Sequence, residues 1–565
     1  MPPPTYDFII VGAGPAGCAL ASTLASSPSH PSVLLLEAGG PAPEVEARID
    51  GDRWVHRIDP ARAWGYETVP QEGLNNRVLA YDRGKGLGGS SAVNFSAWNV
   101  GPAADMDHVA HLTGDEEWSW SSSLPRFQRL ESFHADPADL PPNAGKYIAP
   151  DASKHGNSGP LHIGYPRVWP ANLTRLMDVW EANGYPLNLD PGLGNPLGVF
   201  PSPSTAHQGL RSTAADLLTN APANLTVVTD AHVARVTFEG TRATGVSLLS
   251  GTTYNASKDV ILSAGSLDTP RILLHSGIGP ASQLAQFGIP LVRDTPAVGQ
   301  GLRDRFFVPL TWKRKGTSAR TEYFRDAGNR AAAVEQWKKD RSGPLADYLT
   351  TMGFGYFKSA GVEGSPEFAA LEPAVCERLQ APGVPAYEVI FDAPPFETFT
   401  DPANVPDLDV VSVFILNTQS VGRVELHSAD PGVPLTFDPC TFTHPFDKRV
   451  AVEATREVLR VAGSKEFGAE VEGAFQVPKS EEEEDILSFW RERGASSWHM
   501  TGTAKMGRQE GEGAVVDASL RVFGLEGLRV ADMSIFSIIP NNHTQTTAYL
   551  IGLTAGDKLI KEYGL

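Results

Sequence analysis

Cysteine is nearly missing. Cys18, Cys376 and Cys440 are the only three in 565 residues, the count is odd, and no Cys-x-x-Cys occurs. A disulfide framework and a zinc ribbon are therefore excluded. One bridge between Cys376 and Cys440 stays open, because sequence spacing does not fix Cα separation. No apolar run reaches about 18 residues, so no membrane insertion is expected. Positive charge is in deficit, with 47 Lys and Arg against 66 Asp and Glu and a net charge of −19. A chain without a basic footprint is no general nucleic-acid binder, and anionic membranes do not attract it. A phosphate-bearing cofactor is not excluded, since backbone N–H groups hold phosphate without cations. The start, Met1 to Asp7, has no basic region followed by an apolar one, so no secretory leader is expected and the chain reads as cytoplasmic. Its five Asn-x-Ser/Thr sites, at Asn94, Asn172, Asn224, Asn255 and Asn542, matter only in a secreted protein. No repeat of fixed period is found.

What is present is an ordinary globular composition, 41% hydrophobic and 20% charged. Short apolar runs read as buried strands: Phe8 to Val11, Val33 to Leu36, Leu225 to Val228, Val233 to Phe238, Val260 to Leu262 and Leu528 to Ala531. They occupy both ends and the middle of the chain. Between them, roughly 311 to 498, lies a region richer in aromatics and prolines, with a long strand at Leu408 to Leu416. This alternation predicts an α/β fold in which one domain, built from separated segments, receives an inserted one. A helix is predicted at Asn172 to Ala182, inside the otherwise irregular stretch 135–204. Another is predicted at Glu481 to Arg491, where the acidic start suits the helix dipole.

The first strand runs into Gly12-Ala-Gly14-Pro15-Ala16-Gly17 and then a helical pattern. This is G-x-G-x-x-G between strand and helix, the context that gives the motif meaning. Gly12 permits the turn, Gly14 lets backbone approach a pyrophosphate, and Gly17 lets helix and strand pack closely. The second strand delivers Glu37, followed by Ala38, 20 residues after Gly17. A carboxylate there accepts from ribose hydroxyls. The motif predicts a dinucleotide site without separating FAD from NAD.

Two further stretches are dense in small residues. One runs Gly84-Lys-Gly-Leu-Gly88-Gly89-Ser90-Ser91-Ala-Val93-Asn94-Phe95-Ser-Ala-Trp98. The other runs Gly265-Ser-Leu-Asp-Thr269-Pro270 to Gly279. Together they resemble both signature patterns of the glucose–methanol–choline (GMC) oxidoreductases, and the resemblance spans nearly the whole chain. It implies FAD rather than NAD. It implies a Rossmann-like FAD-binding domain, residues 1–310 and 500–565 with some segments before 205 packing elsewhere. Residues 311–499 would form an inserted α+β substrate domain with a mixed or antiparallel sheet. By position, Gly12, Gly14, Pro15, Ala16, Gly17, Glu37 and Ala38 would contact pyrophosphate and ribose. Arg83, Gly88, Ser91, Asn94 and Phe95 would lie along the flavin. Val233 would hold the adenine edge, and Trp498, Asp532 and Thr544 would complete the site. Some members attach FAD through a His just before the loop Asn. Val93 stands there, so non-covalent FAD is expected. Many members have Asn-Leu-x-Asp-His where this chain has Gly301-Leu-Arg-Asp304-Arg305. Arg305 has no sequence-based reading.

His499 and His543, 44 residues apart among fourteen histidines, match the family's two catalytic positions. Alcohol oxidation removes a hydroxyl proton and a carbon-bound hydride, and a neutral imidazole in reach can take the proton. On the resemblance, His499 is the expected base, and His543 orients the hydroxyl and stabilises alkoxide character. Phe95, Phe391, Phe396 and Trp498 are the expected substrate contacts, favouring a primary alcohol on an aromatic or conjugated group. The resemblance is to the aryl-alcohol-oxidase-like branch, with O₂ or a quinone-type acceptor. A non-redox lyase or cyclase with structural FAD uses the same histidine pair and is the alternative.

Overall fold

A computed structural model of the chain describes residues 3–53, 59–347, 349, 351–395 and 401–565. The apolar runs at the ends and middle of the chain assemble into one seven-stranded sheet. Its order is Leu225–Val228, Val33–Leu36, Thr5–Val11, Thr253–Leu262, Arg242–Leu248 and Val233–Glu239, with Leu528–Val530 added beside Thr253–Leu262. The first four run parallel, as does Leu528–Val530. One edge of Thr253–Leu262 pairs with Thr5–Val11; on the other edge its first half pairs antiparallel with Arg242–Leu248, and its second half, from Val260, pairs with Leu528–Val530. The parallel strands are apolar on both sides because helices cover both faces. Helix Pro15–Ala25 packs directly on the C-terminal helix Gln545–Tyr563. A Cβ on Gly552 would lie 2.1 Å from the Ala16 carbonyl, so only glycine permits that approach.

The second large sheet is antiparallel, in the order Val471–Gln476, Phe306–Arg314, Leu408–Ile415, Tyr387–Phe391, Gly353–Phe357 and Gly198–Pro201, with Ala495–Ser496 beside Phe306. Gly198–Pro201 reaches this sheet from the N-terminal part of the chain. One face is covered by helices Ala171–Ala182, Pro445–Ala462 and Glu483–Arg493, with Val411, Val413, Ile415, Val389 and Phe391 beneath them. The other face carries Phe200, Phe307, Phe354, Ile390 and Phe414. Burial of both faces explains why Leu408–Ile415 is apolar apart from Asp409 and Ser412.

The acidic helix starts two residues later than predicted, at Glu483. The stretch read as irregular also holds Leu161–Gly164, which pairs in parallel with Glu131–His134. The cysteines are all free: Cys376 Sγ lies 3.3 Å from the Phe368 carbonyl, and no Cys376–Cys440 bridge is present. Among the described residues no helix is long and apolar enough to cross a membrane.

Candidate active site

One cleft of about 290 Å³ runs from the glycine turn of the first sheet to the aromatic face of the second. At its first end, Gly12 has φ +102, and a Cβ on Gly17 would sit 1.9 Å from the Gly12 carbonyl. A Cβ on Gly14 would meet no protein atom within 4 Å, because it points into open space. Helix Pro15–Ala25 begins there with neither a side-chain cap nor an acidic residue in its first turn. Its free N–H groups and positive dipole end suit a pyrophosphate. Gly12, Gly14, Pro15, Ala16, Glu37, Ala38 and Val233 all line this end. Gly17 does not line it; its small size serves helix–strand packing.

Glu37 is held by the protein itself. Its Oε2 accepts from Ala13 N (2.8 Å), and its Oε1 accepts from Gly39 N (2.9 Å) and Gly86 N (3.0 Å), so three glycine-rich turns hang on one carboxylate. Burial pushes its pKa up, against those three N–H groups. A carboxylate has about four acceptor positions, which leaves one for a ribose hydroxyl. Arg83, Ser91, Asn94 and Phe95 line the middle of the cleft, and Gly88 does not. Gly88 instead donates its N–H to the Ala13 carbonyl (2.9 Å), holding the second loop on the first. The Arg83 guanidinium donates to the Trp498 carbonyl (2.6 Å) and to Ser90 Oγ, and so joins that loop to the histidine loop. Asn94 donates to Gln545 Oε1 (2.9 Å) at the start of the C-terminal helix, beside Thr544. Asp532 lines the cleft, but its oxygens accept from Gly265 N (2.9 Å), Thr269 Oγ1 (2.5 Å) and Ser534 N (2.8 Å). It anchors the start of helix Gly265–His275, with both oxygens engaged by the protein.

At the other end His499 and His543 meet edge to face, with ring centroids 5.0 Å apart and planes at 85°. His499 is buried. Its backbone N–H donates to Asp304 Oδ1 (2.8 Å), and its Nδ1 lies 3.2 Å from Ser497 Oγ and 3.4 Å from Arg305 Nη1. Burial, then the Arg305 guanidinium, then His543 and Arg83, hold its pKa well below the usual imidazole value. Asp304 is pushed up to about 6 by burial, which hydrogen bonds from Ser496, His499 and Arg305 oppose. His543 stacks on Phe354 (5.0 Å), and its Nε2 lies 2.8 Å from Glu388 Oε1.

Two residues without a sequence-based role thus sit at the centre. Arg305, 1% exposed, donates to the Asn542 carbonyl (2.6 Å) and to the Pro540 carbonyl, gripping the loop that carries His543. Glu388, fully buried, stands on strand Tyr387–Phe391. The same strand corrects the expectation for Phe391. Alternation puts Glu388 and Ile390 towards the cleft and Phe391 towards the helices, where it packs on Trp180 with centroids 6.5 Å apart. Phe396 lies outside the described residues. Phe95 and Trp498 do line the cleft, with ring centroids 6.2 Å apart.

The fold and this cleft define a dinucleotide-binding oxidoreductase with an imidazole pair at the end of its cofactor groove. Family models described as GMC oxidoreductase match residues 6–307 and 418–552. The chain belongs to that family, and its cofactor is FAD. It is 32% identical to "Dehydrogenase pkfF" of Emericella nidulans, over 99% of this chain and 93% of the relative. It is 31% identical to "Pyranose dehydrogenase 3" of Leucoagaricus meleagris, again over 99% and 93%. A solved fungal aryl-alcohol oxidase superposes with a TM-score of 0.87 at 26% identity, covering 99% of both chains.

Proposed function

We propose that this enzyme oxidises primary alcohols carried on an aromatic or conjugated group to the aldehydes. The observation that carries this reading is the lining of the cleft beyond the histidines. Phe95, Phe307, Met352, Phe354, Ile390, Val410, Phe414 and Trp498 surround that space, and Ser412 adds one hydroxyl. No charged side chain lines that half among the described residues. A quaternary ammonium would find no carboxylate facing it, since Glu388 stands behind His543 and does not line the cleft, and a sugar would find few hydrogen-bond partners. A flat apolar alcohol buries its ring there and keeps its one hydroxyl for the imidazole pair.

Bound FAD supplies the two-electron acceptor. The protein supplies the rest. The aromatic wall orients the carbinol carbon and excludes water, and the imidazoles hold the hydroxyl and receive its proton. Val93 is consistent with FAD held without a covalent bond, so acid precipitation should leave the yellow colour in the supernatant.

The deciding experiment is anaerobic mixing of the holoenzyme with a panel of benzylic, allylic, sugar and choline alcohols. Bleaching of the flavin by the benzylic and allylic alcohols, and little by the others, is expected. Product formed without bleaching would instead assign a non-redox lyase or cyclase. The same mixtures, re-exposed to air or to a quinone dye, separate an oxidase from a dehydrogenase.

A further inference from the structure

Strand Leu408–Ile415 sends Val411, Val413 and Ile415 to the helices and Val410, Ser412 and Phe414 to the cleft. Ser412 is the one polar side chain of the cleft-facing three. Across the sheet it pairs with Pro309 on one side and Ile390 on the other, and Ile390 pairs in turn with Phe354. These side chains form one row along the cleft, and His543 stacks on its last member, Phe354, at 5.0 Å. Neighbouring strands lie ~4.8 Å apart, so Ser412 stands two strands, ~10 Å, from the residue beneath His543, with Ile390 between them. That span suits an aromatic ring lying on Ile390, with a hydrogen bond at each end. Ser412 is only 7% exposed, yet its Oγ has no hydrogen-bond partner among the described residues. A ligand that fills this end of the cleft strips water from the hydroxyl, and a donor left unpaired there weakens binding.

We infer that Ser412 sets substrate specificity by donating its hydroxyl hydrogen to an uncharged acceptor oxygen, an ether or a carbonyl, on the end of the substrate remote from the carbinol. The inference rests on the alcohol-oxidation reading above and narrows it: the ring is apolar apart from that one oxygen. An acceptor suits the place because Ser412 brings one proton to donate and Pro309, Ile390, Val410 and Phe414 around it bring nothing polar. A remote hydroxyl or ammonium adds donors of its own, for which this end offers no second acceptor. A carboxylate is excluded too, since no charged side chain lines this half of the cleft among the described residues, and a buried anion without a partner is costly. Ser412 touches the substrate but not the reacting atoms. Its hydrogen bond is the same before and during the reaction, so it acts on binding and not on the rate of the bound complex.

The test is anaerobic stopped-flow reduction of the holoenzyme flavin by two pairs of nearly isosteric alcohols. One pair is 4-methoxybenzyl and 4-ethylbenzyl alcohol, and the other is 4-acetylbenzyl and 4-isopropenylbenzyl alcohol. The preference for the oxygen-bearing member is measured in wild type, S412A and S412T, each with full flavin absorbance. Comparing the same pair between enzymes cancels the electronic effect of the substituent. S412A should lower the preference about tenfold in at least one pair, through a weaker Kd and not through the limiting reduction rate. The affected pair tells an ether from a carbonyl. S412T keeps the hydroxyl and should keep most of the preference. If benzylic alcohols reduce the flavin but S412A leaves both preferences unchanged, the inference is overturned and the functional reading stands. Equal losses in S412A and S412T overturn it as well, because the hydroxyl is then not what is read. If no aromatic alcohol reduces the wild-type flavin, the functional reading itself falls and this inference falls with it.

Discussion

Arg305 combines two duties in one buried guanidinium. It satisfies the Pro540 and Asn542 carbonyls, and it places positive charge beside His499. Arg305→Met should therefore leave two buried acceptors unpaired, at about 1–3 kcal/mol each. A lowered melting temperature together with slower flavin reduction is expected, read by thermal denaturation and stopped flow on the same preparation. Gly17→Ala acts at the other end of the cleft. With its Cβ 1.9 Å from the Gly12 carbonyl, the helix must move away from the strand. The purified variant should carry little flavin, which the ratio of visible to ultraviolet absorbance measures directly. The two residues were unequally legible. Gly17 belongs to a motif whose spacing states its purpose. Arg305 could be singled out in the chain but not interpreted, because its partners lie 194 to 237 residues away.

The histidine loop, 540–544, is held from outside its own sequence. Asp105, in helix Ala103–Thr113, accepts from Asn541 N (2.5 Å) and Asn541 Nδ2 (3.0 Å). Arg378 lies 3.5 Å from that carboxylate and donates to Asn417 Oδ1 (2.9 Å). Asp105→Leu leaves the buried Arg378 without its counter-charge and the loop without its acceptor. A loss of about 3–5 kcal/mol is expected, together with slower turnover at unchanged flavin content, read by denaturant titration and steady-state kinetics. At this scale six of the seven strands of the first sheet were readable as short apolar runs, whereas Arg242–Leu248, with polar residues and a glycine among its apolar ones, was not. Gly353–Phe357 and Gly198–Pro201 were missed because glycine and proline mask their pattern. Glu388 was missed for another reason. In Tyr387-Glu-Val-Ile-Phe391 a single carboxylate interrupts an apolar run, and the sequence does not say whether its face meets water or a ligand cleft.

Across the whole molecule, His155 ties distant parts of the irregular stretch together. Its ring stacks on Phe133 (4.0 Å) and lies between Glu131 (3.3 Å) and Asp190 (3.1 Å). Burial alone would lower its pKa, but hydrogen bonds to Asp190 and Glu131 prevail and raise it from 6.5 to about 9. A folded-state value above the unfolded one means that the stabilisation is complete below about pH 6.5 and is lost as pH rises through about 9. The difference in melting temperature between wild type and His155→Gln should thus be large at about pH 6 and small at about pH 10. The alternation of apolar runs along the chain made an inserted second region legible, whereas the strand that crosses to the second sheet, Gly198–Pro201, has no sequence signal. The pairing of helix Pro15–Ala25 with helix Gln545–Tyr563 also has a consequence for biosynthesis. The first helix leaves the ribosome long before its covering partner, His543 and the strand Leu528–Val530. The nascent chain must carry an uncovered apolar helix and an incomplete sheet across that interval. Cofactor loading therefore waits for Gln545–Tyr563 to emerge, and a ribosome-bound chain stalled before Gln545 should be colourless and dependent on chaperones.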